Sequence, residues 1–157
     1  MPTNLYGIND NFQDLNSHVV PALIRRIHEA KVNNDKEVVV WGTGNAKREL
    51  LYVEDMASAS IYILGLEKSV YDSNTKPMIS HINIGTGVET SIAELTELIK
   101  VVIGFSGQLV FDTSKPDGPP RKLIDVSRIS SLGWESNTNL INGITKTYNW
   151  FKNNVNN

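Results

Sequence analysis

Three basic pairs carry the clearest chemistry in this sequence: Arg25 with Arg26, Lys47 with Arg48, and Arg121 with Lys122. A guanidinium presents a planar fork of donors that matches phosphate or carboxylate oxygens, so an arginine beside a tight turn can clamp an anion. Lys47 and Arg48 follow Gly42 and Gly44, just after the apolar run EVVVW, and Arg121 and Lys122 close the turn-rich run KPDGPPRK. If the pairs converge, they make a pocket for a diphosphate, with Trp41 available to stack on a flat ring or a sugar face. The stretch from Trp41 to Asp55 also suits a surface hairpin with a solvated Lys47 and Arg48, and spacing alone leaves both readings open.

Other motifs are weaker. Gly42 with Gly44, and Gly85 with Gly87, suggest a dinucleotide loop, but Lys47 and Thr90 stand where GxGxxG needs its third glycine. The first pair moreover leads into a strand rather than a helix. The second pair lies between a strand and a helix, where its amides could meet an anion, although a tight structural turn explains it as well. Tyr148 and Lys152 have the YxxxK spacing of short-chain dehydrogenases, yet Tyr148 falls on the apolar stripe of a terminal helix and reads as a core residue. The three histidines are scattered without metal-ligand spacing, so no metal site is expected.

The elements that must position these residues follow from periodicity. Residues 8–16 are polar. Ser17 can cap a helix whose Val20, Leu23, Ile24 and Ile27 form one buried stripe, with Arg25, Arg26 and His28 off it. After a turn at residues 33–35 comes the EVVVW strand, then the glycine turn and a second short apolar strand. Asp55 is expected to cap a helix over residues 56–66, and a polar loop follows over 69–78. A strand over 81–84 leads to the second glycine pair and to the capping box Ser91 with Glu94, which opens a helix burying Ile92, Leu95, Ile99, Val102 and Ile103. Residues 109–111 read as a strand, Asp125 as the cap of a helical turn ending at Gly133, and residues 140–155 as a last helix burying Ile141, Ile144, Tyr148 and Phe151. Alternating strands and helices indicate an α/β fold.

Composition sets the outer limits. A length of 157 residues suits one domain with a real core. No cysteine is present, which excludes disulfides, thiolate zinc sites and a cysteine nucleophile within these residues. A net charge of -2 argues against a nucleic-acid partner held through phosphates. The longest apolar run, near Ile61, is too short to cross a bilayer, and the opening MPTNLYG has no signal-peptide pattern, so a cytoplasmic location is expected.

With those residues in place, the ordered strings PTNLYG, DNF, NSHV, PALIRR, VVVWGTG, RE before VED, HINIGTGVE, FDTSKPDG, PRKL, DVSR and LGW resemble the C-terminal part of the GDP-L-fucose synthase family. These are extended short-chain dehydrogenase/reductases that epimerise and then reduce GDP-4-keto-6-deoxy-D-mannose. The resemblance covers essentially the whole chain. It implies the substrate-binding portion of that α/β fold, lacking most of the N-terminal Rossmann domain, with residues 1–157 as one nucleotide-sugar-binding domain and residues 1–7 as a remnant of the cofactor-domain edge. It also implies NADP(H) as cofactor, a GDP-sugar as substrate, and dimerisation through the cofactor domain.

In that family the reductase serine, tyrosine and lysine, the epimerase cysteine and the glycine-rich cofactor loop precede this segment. The resemblance therefore implies that the 157 residues alone are inactive and do not hold NADP(H) unaided, and that a separate N-terminal half is a conceivable partner. Carried over by position, His18 matches the acid partner in epimerisation and lies near the nicotinamide. Pro2, Thr3, Asn4 and Leu5 match the segment lining the cofactor, and Arg26, Trp41, Arg48 and Lys122 match substrate contacts. Ile8 and Pro119 depart from the family pattern, where Pro and Thr are usual. The alternatives are a GDP-sugar-binding module without catalysis and a truncated gene product without activity.

Overall fold

The computed structural model describes residues 1–13 and 17–155. Residues 14–16 of the polar lead-in and the last two asparagines lie outside the described residues. The first strand, β1, is Asn4–Tyr6, and the first helix, α1, is Val19–Asn33. Val20, Leu23, Ile24 and Ile27 are buried as their spacing requires. The cap position belongs to His18 and makes no side-chain cap bond, so Ser17 is not the cap. Asn34 ends the helix in the left-handed conformation, which asparagine tolerates better than most residues.

Two small sheets follow. Strand β2, Glu37–Trp41, pairs in parallel with β5, Gln108–Asp112. Strand β3, Lys47–Tyr52, pairs in parallel with β1 along residues 50–52 and antiparallel with β4, Glu89–Ser91, along residues 47–49. A two-residue strand, β6, Arg121–Lys122, also runs parallel to β3, with Lys47 opposite Arg121 and Arg48 opposite Lys122. Strands β2 and β3 therefore do not form a hairpin. Gly42 and Gly44, with φ of 85° and 79°, carry the chain from one sheet to the other.

The helices differ from expectation where tertiary contacts outweigh local signals. Helix α2 is Val53–Leu64 and starts two residues before Asp55. Asp55 is buried and accepts hydrogen bonds from the amide (2.9 Å) and hydroxyl (3.2 Å) of Thr138, so it ties α2 to a distant loop instead of capping. Part of the expected polar loop is a short helix, α3, Lys68–Asn74. Residues 81–84 form no regular strand; they lie extended beside the chain start, with Thr3 N donating to Ile84 O (3.0 Å) and Ile84 N to Met1 O (2.8 Å). Helix α4, Ile92–Ile103, has the full Ser91 and Glu94 capping box. Helix α5 is Ser127–Ser131, with Asp125 accepting from Ser127 N one residue outside its cap, and α6 is Leu140–Asn154. Ile141 of α6 is exposed, whereas Ile144, Tyr148 and Phe151 are buried.

Helix α4 packs between α1 and α6, and with Val38, Val40, Leu50 and Tyr52 these helices make the larger core. Leu51, Ala59, Ile82, Ile84, Ile129 and Trp134 make the smaller one. Gly143, inside α6, has a physical reason: a Cβ there would sit 2.1 Å from the hydroxyl of Tyr6, so the glycine lets β1 dock against the helix.

His28 is the other correction in α1. It is buried, and its Nδ1 shares a 3.0 Å hydrogen bond with Tyr148 Oη, while Phe151 meets its ring edge-on. Burial, helped by Lys31 and Lys152 and opposed by Glu29, lowers its pKa below the usual histidine value. The unfolded chain therefore binds more protons below about pH 6.5, and folding stability falls as pH drops through that range. Between pH 7 and pH 5 the urea midpoint is expected to fall further in the wild type than in His28→Gln, which keeps a polar partner for Tyr148 but does not titrate. Equal falls in both proteins would remove His28 from the pH response.

Candidate functional site

An open cleft of about 680 Å³ lies between the start of the chain and the sheet. One wall is residues 2–10, and the rim carries His18 and Val19 at the start of α1. The other wall is Arg48, Leu50, Val53 and Lys122. Pro2, Thr3, Asn4, Leu5, His18, Arg48 and Lys122 thus share one space. Arg26 and Trp41 do not line it. They flank a separate shallow hollow of about 340 Å³ with Glu29, Asn33 and Asp35.

Strand geometry explains which cations reach the cleft. Successive side chains on a strand alternate between faces, so Lys47 and Glu49 share one side of β3 while Arg48 and Leu50 share the other. On the first side, Glu89 receives Lys47 Nζ (3.2 Å) and Arg121 Nε (2.5 Å). The hydrogen bond from Arg121, reinforced by Lys47, holds the Glu89 carboxyl below the usual carboxylate range. On the second side, Arg48 and Lys122 stand next to each other in register and face the cleft. Of the basic pairs at these two strands, one member each is engaged by Glu89 and the other faces the cleft.

Arg48 is also aimed. Its Nη1 donates to the carbonyls of Lys47 (2.6 Å) and Pro119 (2.7 Å), which fixes the guanidinium plane. Gly118 leaves room for it, since a Cβ there would lie 2.9 Å from Nη2. Arg25, by contrast, is engaged with Glu29 and the carbonyl of Phe12. Arg26 donates to the Val39 carbonyl (3.1 Å) and sits 6.0 Å from the Trp41 ring centroid, with Lys115 at 5.8 Å. Trp41 is 64% exposed. An indole face flanked by two cations and open to water suits an aromatic or anionic group rather than a core role.

His18 is exposed at the rim of the cleft. Tyr148 belongs to the core with His28, and Lys152 lies over its ring at 4.8 Å, so the YxxxK pair is not a catalytic couple here. Among the described residues no group of three or more His, Asp or Glu could hold a metal ion. No helix among them is long and apolar enough to cross a membrane.

One flank of the cleft is built from the chain start, residues 2–5. Thr3 Oγ1 and Asn4 Nδ2 both donate to the Glu49 carbonyl (3.2 and 2.8 Å), which leaves backbone and the aliphatic faces of Pro2 and Leu5 toward the space. The first glycine pair leads into β3 and the second into β4, and the Gly87 amide is already given to Glu49.

Three residues escaped the motif search. Glu49 is completely buried, Asp117 accepts from Thr43 N (2.9 Å) and Thr43 Oγ1 (2.7 Å) to lock the first glycine turn, and Glu89 sorts the cations. Only Glu49 left a signal, a charge among the apolar residues of β3.

The model of the NAD dependent epimerase/dehydratase family matches residues 1–85. The chain is 56% identical over 151 residues to the GDP-L-fucose synthase of Escherichia coli (strain K12), covering 96% of this chain and 47% of that protein. It is 52% identical to GDP-L-fucose synthase 1 of Arabidopsis thaliana, over 99% of this chain and 45% of the relative. Among solved structures, a GDP-D-glycero-L-gluco-heptose synthase from Campylobacter jejuni, crystallised in the presence of NADPH, superposes with a TM-score of 0.87 at 35% identity, covering 96% of this chain and 52% of that one. The chain spans about half the length of the curated relatives it matches.

Proposed function

The chain belongs to the NAD dependent epimerase/dehydratase family, and from that premise we propose that it is the C-terminal, substrate-binding portion of an NADP-dependent epimerase-reductase that converts GDP-4-keto-6-deoxy-D-mannose to GDP-L-fucose. The single observation that carries this reading is the shared cleft, in which an in-register Arg48 and Lys122 face the wall formed by Pro2, Thr3, Asn4 and Leu5. Two adjacent, differently shaped cations suit a diphosphate: the guanidinium takes two oxygens in its plane, and the ammonium adds a point charge. Trp41 and Arg26, at their separate hollow, would take a base or ribose at the far end of the nucleotide.

On this reading residues 1–157 form one nucleotide-sugar-binding domain, with residues 1–7 at its cofactor edge. His18 supplies a proton to the sugar carbon during epimerisation, which its exposed rim position permits. Bound NADPH would supply the hydride for the ketone. Pro2, Thr3, Asn4 and Leu5 would line that cofactor, and its phosphates and the reductase tyrosine would come from a cofactor half. The absence of cysteine favours binding without turnover for these residues alone.

Titration calorimetry of the 157-residue chain with GDP is expected to show saturable binding, and the same preparation is expected not to oxidise NADPH when given the keto-sugar. A well-folded sample with no GDP heat would refute the clamp. NADPH oxidation free of any full-length enzyme would refute the division of labour.

A further inference from the structure

We propose that Glu49 is the positioning residue of this site: its buried carboxylate fixes the Arg48 and Lys122 clamp against the Pro2–Leu5 wall. The inference rests on the diphosphate reading of the cleft and adds a residue that touches no ligand. Glu49 lies between Arg48 and Leu50, which both line the cleft, but its own side chain points to the other face of β3 and is 0% exposed. There Oε1 accepts from Gly87 N (2.8 Å) and Oε2 from Ile124 N (3.0 Å). Ile124 is two residues beyond Lys122, so one oxygen anchors the segment that carries the clamp's second cation. The Glu49 carbonyl meanwhile receives Thr3 Oγ1 and Asn4 Nδ2 from the opposite wall. One residue therefore holds both sides of the cleft and the second glycine turn.

The choice of a carboxylate follows from the donors. Two backbone amides approach from separate segments, so both side-chain oxygens must accept, which glutamate can do and glutamine cannot. Among the described residues Glu49 has no ion-pair partner, and backbone amides meet both of its oxygens. The neighbouring backbone is cut to fit: a Cβ on Gly85 would sit 2.2 Å from Oε1, so residue 85 must be glycine while Glu49 occupies this place. Directly opposite in register, Glu89 would repel Glu49, but Lys47 and Arg121 neutralise it.

The test is a double-mutant cycle on GDP affinity, with Glu49→Gln and Lys122→Ala alone and combined, each checked for folding by its thermal transition. Glu49→Gln is expected to weaken GDP about tenfold in the wild-type background, the loss of one charge-assisted contact, and under about twofold where Lys122 is already alanine. A merely structural residue would weaken binding by the same factor in both backgrounds. That result, or an unchanged affinity in Glu49→Gln, overturns the proposal. If Glu49→Gln does not fold, Gly85→Ala displaces the same carboxylate from its other side and takes its place in the cycle under the same criteria. Absence of GDP binding by the folded wild type would sink the diphosphate reading and this proposal together, an outcome distinct from binding that ignores Glu49.

Discussion

Arg48→Ala is expected to weaken GDP binding roughly tenfold to a hundredfold, while Lys47→Ala, one residue away, changes it by less than about twofold. The larger figure is the loss of one charge-assisted hydrogen bond at about 1.5–3 kcal/mol, with 1.4 kcal/mol per factor of ten. The smaller figure reflects where Lys47 points, toward Glu89 and away from the cleft. Net charge changes equally in the two variants, so a general electrostatic effect predicts equal losses. Calorimetric titration of both at two salt concentrations decides the matter. Comparable losses in the two variants would show that the cleft responds to overall charge and not to a clamp.

The largest expected loss of stability is in Phe151→Ala, about 3–5 kcal/mol by urea denaturation. Phe151 is 1% exposed and meets Phe12 at 4.8 Å and His28 at 5.4 Å between ring centroids. It joins α6 to α1 and to the segment before it, so its removal leaves a void that three rigid elements cannot easily close. Folded domains of this size are stable by about 5–15 kcal/mol, so this single change removes roughly a fifth or more of the total. Ile141→Ala, on the same helix but exposed, is expected to stay within about 0.5 kcal/mol. A Phe151→Ala loss below about 1 kcal/mol would mean that α6 is not an integral part of the larger core.

Elements with strong local signals were legible in the sequence. The Ser91 and Glu94 box announced α4, the EVVVW run announced β2, and the stripe Ile144, Tyr148 and Phe151 announced α6. What failed were local signals outweighed by distant partners. Asp55 looks like a cap until Thr138 claims both of its oxygens. Residues 81–84 look like a strand, but the chain start offers them only a short run of hydrogen bonds. The basic pairs were visible as pairs, yet their division into members engaged by Glu89 and members facing the cleft depends on a residue 42 positions from Lys47. Arg26 and Trp41 face a hollow of their own, which spacing along the chain has no means of indicating.

The alternation along β3 has a consequence for how this strand tolerates change. Replacing one of its residues removes one contact, but inserting or deleting one residue between Gly44 and Lys47 would exchange the roles of every position beyond it. Arg48 would turn toward Glu89, and the carboxylate of Glu49 would be driven into the cleft beside Lys122. Leu51 would leave the smaller core for the face of the larger one. Affinity and packing in this half of the molecule are therefore encoded by odd and even position, so the strand's length is under tighter constraint than its composition.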